Sequence, residues 1–174
     1  MALGEFDLIK RYFTRPAPEG MVGVGDDAAI VPLSGECVAA ADMLVSGRHF
    51  FPDDDPAAIG WKSMAVNISD LAAMGAQPRY ALLSIALPEV NERWLASFAS
   101  GLFACADAFG VQLIGGDTTQ GPLTIAITVL GNAPSHPLLR RHAVAGDDVW
   151  VSGNPGAAAL GLSIKMGRLS WPEP

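Results

Sequence analysis

Between Met64 and Gly75 the chain reads Met-Ala-Val-Asn-Ile-Ser-Asp-Leu-Ala-Ala-Met-Gly, and Asp70 carries the only charge in this stretch. A helix so nearly free of charge has to be covered on most sides. That demands a layered domain with a real core. The ends of the helix are legible too. Asp55-Pro56 offers an N-cap with proline at the first helical position, and Gly75 is a natural stop. The same helix raises an electrostatic question. Asp70 falls near the negative end of the helix dipole, where a carboxylate is disfavoured. If buried, it needs a partner: a metal ion, Lys62, or an arginine from elsewhere. Asn67 shares its face at i, i+3.

Other elements follow from pattern. Glu5 to Phe13 reads as a short amphipathic helix with Phe6, Ile9 and Phe13 on one face. Residues 15–23 form a loop rich in Pro and Gly. Cys37 to Met43 is a strand of small residues ending about Asp42, and Tyr80 to Leu87 is a second strand, stopped by Pro88. A helix from Asn91 to Gly110 carries Trp94, Leu95, Phe98, Leu102 and Phe103 on its buried side. Val111 to Ile114 is a short strand running into Gly115-Gly116-Asp117, and Leu123 to Leu130 is a strand rich in β-branched residues. Gly131 to Pro137 reads as a linker, Asp148 to Val151 as a strand, and Ala157 to Met166 as a helix. The order predicts an α+β domain, a mixed β-sheet flanked by helices, over residues 1–137. Residues 138–174 read as the start of a second domain whose remainder is missing, so the chain is expected to lack a C-terminal half.

Charge and cysteine usage narrow the function. The net charge of −7 argues against a nucleic-acid groove, though not against small anions, because bound cations reverse the local sign. Cys37 and Cys105 show neither CxxC spacing nor a partnering histidine, so they read as buried thiols of a cytoplasmic protein. The sequence contains neither a secretory signal nor an apolar run of about 18 residues, so no membrane partner is expected.

Four carboxylates stand out. Gly23-Val-Gly25-Asp26-Asp27 places two adjacent acids after a glycine turn, which suits a hard cation and also suits an ordinary solvated turn. The motif is neither a Walker A loop nor a dinucleotide fingerprint. Asp42 stands at a strand terminus, as a ligand or as a turn residue. Asp70 poses the question above. Gly115-Gly116-Asp117-Thr118-Thr119 could offer N–H and O–H donors to phosphate with Asp117 on a cation, or could be a wide turn. His49 is a lone histidine, and Arg140-Arg141 is a basic pair able to meet a phosphate. No nucleophile–base pair is evident. Such a set fits phosphoryl transfer, in which positioning and cation electrostatics carry the reaction.

Gly4-Glu-Phe6, Gly23-Val-Gly-Asp-Asp27, Asp42-Met-Leu-Val45, His49-Phe50, Asn67-Ile-Ser-Asp-Leu-Ala-Ala-Met-Gly75 and Leu113-Ile-Gly-Gly-Asp-Thr-Thr119 occur in this order. Together they resemble the N-terminal domain of the thiamine-monophosphate kinase family, within the aminoimidazole-ribonucleotide-synthetase-like ATP-binding superfamily. The resemblance implies transfer of the γ-phosphoryl group of ATP to thiamine monophosphate, giving thiamine diphosphate. It implies Asp27, Asp42, Asp70 and Asp117 as Mg2+ ligands, Gly116, Asp117 and Arg141 at ATP, and His49 at the thiamine substrate. It also implies a homodimer formed through the sheets. The chain departs from the pattern at Ala40-Ala41, where Ser-Thr is common. It departs again at Gln120, where arginine is common, and at Ala157, a frequent aspartate. Two other readings stay open: a sister synthetase of the same fold, and a nucleotide-binding dimerisation module without turnover.

Overall fold

The computed structural model describes residues 4–151 and 153–170. The uncharged stretch is the second half of helix α2 (Pro56–Ala73). Its start is as expected: the Asp55 carboxylate accepts from the Ala57 N–H at 3.1 Å, and Pro56 follows. At the other end Gly75 takes φ +70, which ends the helix without a Cβ clash. Helix α3 (Glu92–Phe109) is capped by Asn91, whose side chain accepts from Trp94 N–H at 3.0 Å, and closed by left-handed Gly110.

Strands β1 (Cys37–Val45), β2 (Gln77–Leu87), β3 (Gln112–Gln120) and β4 (Thr124–Asn132) form one sheet in the order β1-β4-β2-β3. β2 and β3 are parallel, joined across α3, while β4 runs antiparallel to both β1 and β2. Alternation along the strands sorts the two faces. Ile125, Ile127 and Val129 of β4, with Ala81, Leu83, Ile85 and Leu87 of β2, are buried in the core with residues of both long helices. Leu95, Phe98 and Leu102 of α3 have no exposed surface, and each such side chain contributes about 1.5–3 kcal/mol by its burial. The long helices approach closely through glycines. A methyl group at Gly101 would overlap the Ala57 backbone, and one at Gly60 the Phe98 carbonyl.

The N-terminal segment is helical, but with a different buried face. After α1 (Glu5–Leu8) comes a π-helical turn over Ile9–Phe13. The widened turn puts Leu8 and Phe13 in the core and leaves Phe6 83% exposed. Phe13 meets Phe98 edge-on, with ring centroids 6.3 Å apart. Arg11 and Tyr12 both reach Glu92 of α3, at 2.7 and 3.1 Å. Arg15 pairs with Asp107 and lies over the Phe103 ring. These pairs are solvent-exposed, so the two apolar anchors hold the segment more than the charges do.

Three other expectations change. β3 does not stop at Ile114; it continues through the glycines to Gln120. The two cysteines differ, since Cys105 is buried and Cys37 is exposed. Burial pushes the Cys105 thiol up from its ordinary value. Residues 148–151 form no strand. A strand needs a partner, and none faces them in the described part of the second unit.

The chain divides into two compact units, Met1–Leu139 and Arg140–Pro174. The second holds a 3-10 turn over Arg140–His142 and helix α4 (Ala157–Lys165), which has no buried residue. Val149 and Trp150 are 91% and 89% exposed. None of the helices is long and apolar enough to cross a membrane, among the described residues.

Candidate nucleotide and metal site

In the first unit a cavity of about 860 Å³ brings distant motifs together. The Gly25-Asp26-Asp27 turn forms one wall and Gly115-Gly116-Asp117 of β3 another. Ser84 of β2 and Thr128 of β4 line the cavity from the sheet, and Glu5, Phe6 and Phe13 line it from the N-terminal segment. A smaller cavity of about 320 Å³ shares Glu5 and Thr118 with it and is also lined by Thr119 and Gln120.

Local backbone geometry explains why these carboxylates are available. Gly25 has φ +123, and in the turn that follows Asp26 Oδ1 accepts from the Asp27 N–H at 2.8 Å. Both carboxylates of the turn remain exposed. Gly116 has φ +146, and a Cβ there would overlap the Leu83 carbonyl. Only glycine lets β3 lie this close to β2 while presenting Asp117, which is exposed.

The donor set suits a hard divalent cation. Carboxylates, hydroxyls and backbone carbonyls line the cavity, with neither cysteine nor histidine among them. No group of three or more acidic, His or Cys residues gathers as a ready cage among the described residues. Mg2+ typically takes one or two carboxylates and completes its shell with water and substrate phosphates, and Asp27 and Asp117 are carboxylates of that kind lining the cavity.

Asp42, Asp70 and His49 do not line this cavity. Asp42 is inside β1 rather than at its end, opposite Ile127. Following the register from Asp42 to Ile127, Leu83 and Gly116 crosses the whole sheet. Three strand spacings put Asp42 and Asp117 roughly 14 Å apart, too far to share an ion within one chain. Asp70 is exposed, not buried. The α2 face that packs runs through Ile59, Met64, Asn67, Ile68 and Leu71, and Asp70 points away from it. The anticipated conflict of a buried anion therefore does not arise; small residues made α2 look more enclosed than it is. Arg141 belongs to the 3-10 turn of the second unit.

Asn67 is the residue whose role the sequence left unread. It is fully buried, donates to the Ser63 carbonyl at 2.9 Å and accepts from the Asp42 N–H at 2.8 Å. It thereby ties β1 to α2 beside Asp42. A polar residue on the packing face of an apolar helix was the available signal. His49 is also locally fixed: its Nδ1 accepts from the Val45 N–H at 2.9 Å, and its carbonyl accepts from Lys62 Nζ at 2.5 Å.

A family model described as AIR synthase related protein, N-terminal domain, matches residues 25–133. The chain is similar to thiamine-monophosphate kinase of Salmonella typhimurium strain LT2, 45% identical over 179 residues, covering 99% of this chain and 55% of that protein. Among solved structures it resembles thiamine-monophosphate kinase from Stenotrophomonas maltophilia K279a, with TM-score 0.84 and 44% identity, covering 98% of this chain and 56% of that one. It also resembles AaThiL complexed with AMPPCP and TMP, with TM-score 0.72 and 27% identity, covering 98% and 55%. The chain spans about half the length of the curated relatives it matches. With the matched segment running from the Gly25 turn through all four strands, the chain belongs to the AIR synthase related proteins and carries their N-terminal domain.

Proposed function

We propose that this chain is the nucleotide-side portion of a kinase that moves the γ-phosphoryl group of ATP onto the phosphate of thiamine monophosphate. The products are thiamine diphosphate and ADP. The observation that carries this reading is the cavity joining the Gly25-Asp26-Asp27 turn to Gly116-Asp117, in a fold close to thiamine-monophosphate kinases. Of the four aspartates, Asp27 and Asp117 line the cavity and would hold Mg2+ there, whereas Asp42 and Asp70 lie outside it and would be ligands only in an assembled site. When bound, the metal screens the repulsion between two anionic reactants. The chain's own residues orient those reactants. The Gly116 backbone and Asp117 sit at the nucleotide, and His49 contacts the thiamine substrate.

The boundary between nucleotide domain and second domain falls near residue 137, supported by the division of the chain at Leu139. Two copies pair through their sheets. Exposed Ala39, Ala41 and Met43 of β1 support this. The setting is cytoplasmic, without membrane or nucleic-acid partners.

The test is direct. The protein is incubated with Mg-ATP and thiamine monophosphate, and products are separated by chromatography. Thiamine diphosphate with matching ADP is expected; ADP release with a different acceptor would reassign the substrate within the same fold. One other reading is a nucleotide-binding module without turnover. Mg-ATP binding by calorimetry with no product formed selects it.

A further inference from the structure

Two phenylalanines of the N-terminal segment line the larger cavity, and they differ in what already covers them. Phe13 is buried and meets Phe98 edge-on, so its ring belongs to the core. Phe6 is exposed and has no ring partner among the described residues. Its place on the wall is nonetheless held. Leu8 N–H donates to the Gly4 carbonyl at 3.0 Å, closing the turn that carries Phe6, and Leu8 itself is buried. Farther along, Arg11 and Tyr12 reach Glu92, and Arg15 pairs with Asp107. Short π-helical turns are frequent at functional sites. Here the widened turn separates two anchors that pack from a ring left outside the core.

An aromatic ring set in a cavity wall and uncovered by protein offers a large apolar face to a ligand. The rest of the lining says which ligand. The Gly25-Asp26-Asp27 turn and Gly116-Asp117 provide backbone and carboxylates suited to a metal-bound phosphate chain. Ile9, Val24 and Val31 add apolar surface to the same cavity, which a phosphate chain cannot use. A nucleotide has both halves, a charged chain and a flat aromatic base. Thiamine monophosphate also carries flat rings. Phe6, however, shares its cavity with the residues assigned to the nucleotide phosphates, whereas His49 lies outside it.

We propose that Phe6 is the platform on which the base of the nucleotide stacks, a binding residue and not a catalytic one. This rests on the reading of the cavity as the nucleotide site and extends it from the phosphate end to the base. The ring supplies affinity for the nucleoside half, while Asp27 and Asp117 act on the phosphate chain through the metal. Stacking uses the face of a base and not its edge, so it is tolerant of base identity. Adenine and guanine nucleotides should both gain from the ring.

Calorimetry with Mg-ATP and with Mg-tripolyphosphate, which has the chain without the base, tests the assignment. The wild-type protein should bind both, Mg-ATP the more tightly. Phe6→Ala should raise Kd for Mg-ATP about tenfold and leave Kd for Mg-tripolyphosphate unchanged. Because the ring is exposed, the same variant should keep the wild-type melting temperature. Phe6→Trp should retain Mg-ATP affinity. Its indole fluorescence should be quenched by Mg-ATP beyond the wild-type change, and Mg-tripolyphosphate should add no such quenching. Unchanged Mg-ATP binding in Phe6→Ala, or an equal loss for both ligands, overturns the proposal and leaves the nucleotide reading of the cavity standing. Weakened binding of thiamine monophosphate with unaltered Mg-ATP overturns it too, by moving the ring to the other substrate. A wild-type protein that binds neither Mg-ATP nor Mg-tripolyphosphate sinks the nucleotide reading itself, and the base platform with it.

Discussion

Gly116 shows how much one residue decides. Its φ of +146 and its approach to the Leu83 carbonyl leave no room for a Cβ. Gly116→Ala should therefore destabilise the domain by more than about 2 kcal/mol. Gly121→Ala, whose Cβ would meet Ala86 at an ordinary 3.5 Å, should be near neutral; urea denaturation of both variants checks the contrast. Asp70 makes the opposite case. Because it is exposed and three residues from the end of α2, Asp70→Asn should change stability by less than about 0.5 kcal/mol. If it holds magnesium, the same variant should cut Mg-ATP turnover at least roughly tenfold. Unchanged turnover at saturating magnesium would leave Asp70 without a part in the site.

At the scale of elements, the site depends on how α2 is fastened to β1. Asn67 makes that joint, with both ends of its amide used inside the core. Asn67→Ala would strand the Asp42 N–H and should lower stability by about 1–3 kcal/mol. Hydrogen exchange should quicken at Asp42 first, and unaltered protection there would mean that the joint is not needed. Elements were also where sequence reading succeeded most. Asp55, Gly75, Asn91 and Gly110 mark both long helices to within a residue or two, because caps are local chemistry. It did less well at strand ends. Glycines usually punctuate strands, whereas here pairing with β2, from Tyr80↔Gln112 to Leu87↔Gln120, carries β3 through them.

For the whole molecule, nucleotide and metal should act as one ligand. At about a hundredfold excess over Kd, Mg-ATP should raise unfolding free energy by about 2.7 kcal/mol. ATP in EDTA should do far less, because Asp27 and Asp117 would then face the phosphates uncompensated. Equal stabilisation with and without the metal, in thermal unfolding, would remove magnesium from the site. The net charge of −7 makes this dependence on a cation steeper.

The carboxylates and glycines that line the site were legible as residues, and their order along the chain carried the family resemblance. So were the long helices and most strands, since caps, periodicity and β-branching act over a few residues. Tertiary structure alone decided which aspartates line one cavity. Asp27 and Asp117, 90 residues apart, share one cavity, while Asp42 lies a sheet's width from Asp117 and Asp70 faces solvent. Strand order and register set those separations, and neither is encoded in any local stretch. The nearly uncharged α2 stretch rightly demanded a covering layer. Its one charge proved to lie outside that layer, because packing against α3 and β1 uses one face of the helix and leaves the other to solvent.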